Sequence, residues 1–290
     1  MSKNNDSFLH NEYIKKPEWL RIKLPDANHY NKVKGVLNDN HLHTICESGS
    51  CPNKGECWNA GTATFMILGE ICTRNCKFCN VKTGKPMPPD PHEPQSVADA
   101  VQKMNIKHCV ITSVDRDDLE DGGAGIWAAT IKKIKKQNPK TTIEALIPDF
   151  KGDESLIQKI VVSGADVISH NLETVKRLTR HVRTFAKYEV SLKVIQYLAQ
   201  KGVRTKSGIM LGLGEIEEEI FETMDDLLAA GCQIITLGQY LQPTTRHLKV
   251  QKYISPEDFK RYGNIARKKG FLFVESAPLV RSSYHAEKHV

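Results

Sequence analysis

The chain has 290 residues, 41 Lys and Arg against 34 Asp and Glu for a formal charge of +7, and 40% hydrophobic residues. That is enough for one α/β barrel or two small domains, while no apolar stretch approaches the about 20 residues that a membrane-spanning helix needs. The basic balance reads as a mildly positive surface or as a docking face for an acidic partner protein; nucleic acid fits poorly, since there is no arginine-rich arm or aromatic-studded basic strand.

Residues 1–60 read as an irregular extension rich in Asn, Gly and Cys, and the opening MSKNNDSFLHNEYIKKPEW has no apolar signal core and no transit-peptide character, so a cytoplasmic protein is expected. A rhythm then begins. The apolar run TATFMILG (62–69) predicts a strand, and after the Pro-rich stretch 84–94 come a helix over 96–104 and a strand over 107–113. A helix over 123–137 follows, whose Lys132, Lys133, Lys135 and Lys136 form a solvated face. Next are a strand over 141–148, a helix over 155–164 and a strand over 165–171. The strongly periodic helix 187–202 stops at Gly202. Strand 203–212, helix 217–231, strand 233–241, helix 255–270 and strand 271–276 complete the series.

Strands alternating with helices of this length predict a parallel sheet of βα units. Six units from residue 62, then a terminal strand and tail, give a partial (βα)6 parallel barrel instead of a closed eight-unit one. The expected organisation is an N-terminal extension over 1–60, the barrel over 61–270, and a C-terminal strand and tail over 271–290.

Six of the eight cysteines fall in two runs: Cys46, Cys51 and Cys57 as C-x4-C-x5-C, and Cys72, Cys76 and Cys79 as C-x3-C-x2-C. Without a secretion signal, clustered thiols imply metal and not disulfides. Three soft thiolates per run suit an iron–sulfur cluster with one iron left for another ligand. Structural zinc is the alternative, but it normally takes four ligands, and only the first run has histidines beside it, His41 and His43. Cys109 and Cys232 sit in apolar runs and read as small core residues. The second run follows the first barrel strand, where parallel barrels carry their chemistry.

C-x3-C-x2-C with Phe78 before the last Cys is the signature of the radical S-adenosylmethionine (SAM) superfamily, and the whole chain from about residue 17 resembles the lipoyl synthase family. The resemblance is carried by KPEWLRIKLP, both Cys runs, ATFMILGEICTRNCKFCNV, ITSVDRDDLEDGGA, SHNLETV, SGIMLGLGE, QYLQPT and VRSSYHAE, with no departure in any of them. It implies a radical SAM type barrel in which Cys72, Cys76 and Cys79 hold a SAM-reducing 4Fe–4S cluster. Phe78 would lie near the adenine. Cys46, Cys51 and Cys57 would hold an auxiliary 4Fe–4S cluster completed by Ser283 of RSSY, with Ser282 the weaker candidate; an ordinary polar tail is the bland reading. SAM contacts are expected from Thr112, Ser113 and Asp115, although DRDDLED could equally be a solvated acidic loop. Asn171 and Glu173 are further SAM candidates. His170 reads as a satisfied core histidine, and Arg281 as a tail-orienting or substrate contact or a surface salt bridge. SGIMLGLGE reads as a glycine-softened wall near the adenosine, not a dinucleotide loop.

The activity implied by the resemblance is radical insertion of sulfur at C6 and C8 of an octanoyl chain on a carrier-protein lysine, one SAM being cleaved for each, with the auxiliary cluster as sulfur donor. No side chain can abstract hydrogen from an unactivated carbon, so cofactors carry that step. Expected partners are octanoylated lipoyl carrier domains (dehydrogenase E2 subunits and the glycine cleavage H protein), which tend to be acidic, a low-potential donor such as ferredoxin or flavodoxin, and iron–sulfur assembly proteins. Neither nucleic acid nor membrane is expected. The rivals are another radical SAM sulfur-inserting or methylthiolating enzyme, a non-catalytic iron–sulfur carrier, and a zinc-binding interaction module.

Overall fold

The computed structural model of the chain describes residues 15–21, 27–40, 42–59 and 64–289. In chain order its elements begin with α1 (Ala27–Asp39), β1 (His43–Thr44), α2 (Ile45–Ser48), α3 (Lys54–Asn59), β2 (Thr64–Ile67), β3 (Ile71–Cys72) and β4 (Lys82–Thr83). They continue with α4 (Glu93–Lys103), β5 (His108–Ser113), α5 (Ala124–Gln137), β6 (Thr142–Leu146), α6 (Glu154–Val161), β7 (Val167–Ser169) and α7 (Lys176–Val182). The last are α8 (Tyr188–Gln200), β8 (Arg204–Leu211), α9 (Glu217–Ala229), β9 (Ile234–Gln239), α10 (Pro256–Lys269), β10 (Phe273–Ser276) and a 3-10 turn, Ala286–His289.

One sheet runs in the order β1-β2-β5-β6-β7-β8-β9-β10. All neighbours are parallel except β1, which runs antiparallel to β2. The six units β2 to β9 and the terminal strand β10 are those the sequence predicts. Parallel strands covered by helices are buried on both faces and read as unbroken apolar runs; β9, IITLGQ, is buried at every position. The helices carry their own boundary signals. In α10, Ser255 accepts from the Asp258 N–H, Pro256 opens the first turn, Glu257 and Asp258 face the positive end and Arg267, Lys268 and Lys269 the negative one, and Gly270 closes it at φ 118°. No helix among the described residues is long and apolar enough to cross a membrane.

The extension is less irregular than its composition suggests. Val33 and Leu37, one turn apart on α1, are buried in the same core as Trp58, Phe65 and Trp127, so three helices and β1 pack onto the barrel's open edge. Thr62 and Ala63, the start of the predicted first strand, lie outside the described residues, as do His41 and most of 1–26. Also unforeseen are α7 and the two-residue ladder of β3 with β4. The lysine face of α5 is as expected, with Lys132, Lys133 and Lys136 exposed and Lys135 paired to Asp166 at 2.5 Å. Cys109 and Cys232 are core residues, 0% and 2% exposed.

After β10 the tail crosses the open side of the barrel. Asn53 Nδ2 donates to Leu279 O at 2.7 Å, Tyr284 Oη donates to Glu56, and Arg204 donates to His289 O at 2.8 Å. Gly238 permits this path: a Cβ there would collide with Val280 O. The barrel interior holds a buried ion pair, Lys206 with Glu144 at 2.9 Å, which Ser169 Oγ completes by donating to Glu144 at 3.1 Å. Such a pair is stable only when its remaining valences are met.

Candidate active site

The chain leaves β2 through Leu68 and Gly69, both at positive φ, and enters β3. Pairing of Ile71 with Lys82 and Cys72 with Thr83, together with the Gly84 N–H donated to Cys72 O, ties off the segment between Cys72 and Thr83 as a closed loop. Cys72, Cys76 and Cys79 all lie on it. Inside the loop Arg74, its side chain 6% exposed, makes a double fork. Nε and Nη2 donate to Asp117 at 2.6 and 2.8 Å, Nη1 and Nη2 donate to Asp149 at 2.9 Å each, and Asp115 lies 3.4 Å away. Bidentate guanidinium–carboxylate pairs fix geometry as well as charge, so the thiol loop is braced against the loops that follow β5 and β6. Asp115 also touches the thiol of Cys72: its N–H approaches Sγ at 3.3 Å, and Sγ donates toward Oδ2 at 3.7 Å.

The second set of thiols comes from the extension. Thr44 caps α2 by accepting from the Glu47 N–H, which places Cys46 in the first turn with its side chain buried; Cys51 N–H donates to Cys46 O at 3.1 Å, and Cys57 lies on α3. All eight cysteines are free thiols. Burial, reinforced by Asp115, pushes Cys72 to about 11 and Cys76 to about 12. Burial also raises Cys79 and Cys46 to about 11 each and Cys51 upward. Thiols held protonated in this way must release protons when they take metal. Among the described residues no three His, Cys, Asp or Glu side chains converge on an ion-sized point.

Both sets open onto one cavity of about 510 Å³ at the C-terminal ends of the strands. Its wall includes Cys46, Cys51, Cys72, Cys76 and Cys79, together with Phe78, Thr112, Ser113, Asp115, Asn171, Glu173, Arg281, Ser282 and Ser283. Every site residue expected from the sequence is therefore on this wall except Cys57, which sits on α3 behind it. Some of the polar groups are already engaged: Thr112 Oγ1 donates to Leu146 O at 3.2 Å, and Ser113 Oγ accepts from Trp127 Nε1 at 3.2 Å. Asn171 Nδ2 donates to Glu173 at 3.0 Å and to Ser282 Oγ at 2.6 Å, while its Oδ1 is buried with no partner. Beside that orphan acceptor lies Gly208, where a Cβ would strike Thr236 Oγ1 and come 3.2 Å from Asn171 Oδ1. The bare backbone and unpaired acceptor make a cradle for a polar ligand, and a SAM molecule fits it. Glu173 adopts φ 67°, held there by its N–H to Gly208 O and its C=O to the Met210 N–H, both 2.9 Å; backbone strain of this kind gathers at functional sites.

His170 is a core histidine, as read. Its two ring nitrogens lie 2.9 Å from Ile147 O and from Ser191 Oγ, and burial, with Arg183 nearby, lowers it to about 4. Arg281 is half-buried on the cavity wall, and its Nη1 donates to Val280 O at 2.6 Å. DRDDLED is not simply a solvated loop either, since Asp117 holds Arg74, Arg116 donates to Leu68 O at 3.2 Å, and Asp121 accepts from the Gly123 and Gly125 N–H groups. Arg74, Asp149 and Arg183 also line the cavity, and none of them stands out in the sequence as a site residue. The one available signal was a lone arginine among thiols with a run of aspartates downstream.

Residues 66–227 match the family model of the radical SAM superfamily, and residues 2–51 match that of the N-terminal domain of lipoyl synthase. The chain is 59% identical to the lipoyl synthase of Phocaeicola vulgatus over 96% of its own length and 98% of that protein. It is 58% identical to the mitochondrial lipoyl synthase of Nematostella vectensis over 95% of each chain. The chain belongs to the lipoyl synthase family. Solved structures add the fold: the FeFe-hydrogenase maturase HydG of Carboxydothermus hydrogenoformans superposes with a TM-score of 0.57 at 13% identity, covering 90% of this chain and 77% of that one. Methylornithine synthase gives 0.53 at 13% identity over 77% and 67%. Membership of the lipoyl synthase family sets aside the non-catalytic carrier and zinc-module readings.

Proposed function

We propose that this chain is the enzyme that inserts sulfur at C6 and C8 of a protein-bound octanoyl-lysine, giving the lipoyl group. The observation that carries the reading is one cavity walled by thiols of both cysteine runs. A substrate chain lying in it can reach both groups without leaving, and such positioning accounts for much of the rate in reactions of this kind.

In this reading Cys72, Cys76 and Cys79 hold the 4Fe–4S cluster that engages SAM, and Cys46, Cys51, Cys57 and Ser283 hold the auxiliary 4Fe–4S cluster. When bound, these groups supply hydrogen abstraction from unactivated carbon and the sulfur atoms themselves. Ser283 is favoured over Ser282 because Ser282 accepts the Asn171 amide hydrogen, whereas Ser283 has no hydrogen bond among the described residues. Asp115 and Arg74 fix the attitude of Cys72. Asn171 Oδ1 and the bare Gly208 backbone receive SAM together with Thr112, Ser113 and Glu173, and Phe78 borders the adenine. Arg281, half-buried on the cavity wall, orients the tail that carries Ser283 and contacts the substrate chain.

The three regions 1–60, 61–270 and 271–290 then divide the work into auxiliary thiols, radical barrel and closing tail. The protein substrate is a lipoyl carrier, with E2 subunits and glycine cleavage H protein as the candidates. A ferredoxin or flavodoxin supplies electrons, assembly proteins restore the clusters, and the location is the cytoplasm. Anaerobically reconstituted protein, given SAM, reductant and an octanoyl-lysyl peptide, should yield a peptide with two added sulfurs and two fewer hydrogens by mass spectrometry. A peptide left unchanged while 5′-deoxyadenosine accumulates refutes the substrate.

A further inference from the structure

Three loops at the C-terminal end of the sheet lock together around the second cysteine run. The Lys77 N–H donates to Val182 O at 3.0 Å, and the Leu248 N–H donates to Lys77 O at 3.3 Å. Thr184 Oγ1 donates to Asn75 O at 2.8 Å, and His247 Nε2 lies 3.0 Å from Cys79 O. Segments 75–85, 180–188 and 242–252 thus make one continuous surface. Each carries three Lys or Arg and no Asp or Glu; of these, Arg183 is buried and Lys82 is paired with Glu70 at 3.0 Å.

Lys77, Arg180, Lys187 and Arg246 are exposed there, and none of the four has a carboxylate partner among the described residues. Their neighbours just outside the surface are compensated, Lys176 by Glu189 and Arg177 by Glu219. Phe185, on the middle loop, is 62% exposed. A net basic surface with four such cations and an exposed aromatic is suited to capture an acidic protein, because like-signed charges sum into a steering field and the aromatic supplies contact area.

The cysteine loop is a single residue layer at this place. Asn75 and Lys77 are exposed, whereas Cys76, Phe78 and Cys79 line the cavity. We propose that this face is the docking site for an acidic one-electron donor protein, seated over the outer side of the cysteine loop. The proposal rests on the function argued above. One electron leaves the donor and reduces the cluster held by Cys72, Cys76 and Cys79, with no proton or atom transferred. Electron transfer falls steeply with distance, and this face lies directly on the loop that carries those thiols. A carrier protein has a different task, since its lysyl arm must reach between the two thiol sets, and the wall formed by Cys46, Cys51 and Arg281 belongs to none of the three segments.

The test compares the wild type with the charge-reversed variant Arg180→Glu, Lys187→Glu, Arg246→Glu and, separately, with Phe185→Ser. Flavodoxin is the probe, with its binding followed by flavin fluorescence and its reduction of the cluster by stopped flow. At low salt the triple variant should lose about tenfold or more in association rate, and salt should slow the wild type but not the variant. Phe185→Ser should speed dissociation. Formation of 5′-deoxyadenosine driven by dithionite should be unchanged in both. Flavodoxin binding that ignores the reversals overturns the proposal, as does a loss confined to binding of an octanoylated carrier domain. If dithionite yields no 5′-deoxyadenosine from the wild type, the reading of the site fails and takes the proposal with it; if dithionite works and flavodoxin is indifferent, the docking face alone is wrong.

Discussion

The loop of Cys72, Cys76 and Cys79 is closed by a two-stranded ladder and braced by a buried guanidinium. Cys46, Cys51 and Cys57 instead sit on and between two short helices that touch the tail through contacts such as Asn53 to Leu279 O and Tyr284 to Glu56. The first arrangement gains rigidity from bonds within the barrel. The second depends on two distant parts of the chain staying together, and a helix of four to six residues adds little stability of its own. In the proposed division of roles, the radical-generating site is the one built into the barrel, and the sulfur-donating site is the one shared between the extension and the tail.

Replacing Arg74 should break the rigid side. Arg74→Ala leaves the buried Asp149 without its cation, Asp117 keeping only Lys151 at 3.5 Å, at a cost of about 3–5 kcal/mol, read as a lowered urea midpoint of the metal-free protein. Arg74→Lys should recover only part of it, because an ammonium cannot make both forks. The pH profile provides a check. Burial raises Asp149, but Arg74 outweighs it and draws the carboxyl down to about 2. A depressed folded value stabilises above the unfolded value of about 4 and is lost as pH falls from there toward 2. That acid limb should flatten in Arg74→Ala.

The weaker side can be opened selectively. Gly238→Ala drives a methyl group into Val280 O and should displace the tail, so that roughly half of the bound iron is lost while 5′-deoxyadenosine still forms; full iron content would show that the tail does not secure the auxiliary group. Ser283→Ala should spare SAM cleavage and slow sulfur transfer, and normal lipoyl formation by it removes Ser283 as a ligand. The mildest change is Ser282→Ala, which forfeits one hydrogen bond from Asn171, worth about 1 kcal/mol, and should leave turnover close to normal.

The contrast also explains what was legible in the sequence. The barrel strands, the six clustered thiols and the satisfied state of His170 could be read because local apolar patterning or short spacing encodes them. α1 could not: ANHYNKVKGVLND offers little beyond Val33 and Leu37 to mark a buried face, and the helix is held by tertiary packing against Trp58 and the first strand. The Arg74 brace was hidden for a different reason. Its partners stand 43 and 75 residues away, and only folding shows that DRDD and Asp149 meet inside the cysteine loop.

The most direct test of the division between the two sites is to compare Cys51→Ala with Cys76→Ala after anaerobic reconstitution, measuring 5′-deoxyadenosine and sulfur-containing peptide from the same reactions. Cys51→Ala should form 5′-deoxyadenosine and no sulfur-containing peptide, and Cys76→Ala should form neither. A Cys51→Ala enzyme that still makes the lipoyl group, or a Cys76→Ala enzyme that still cleaves SAM, would contradict the assignment of the two thiol sets.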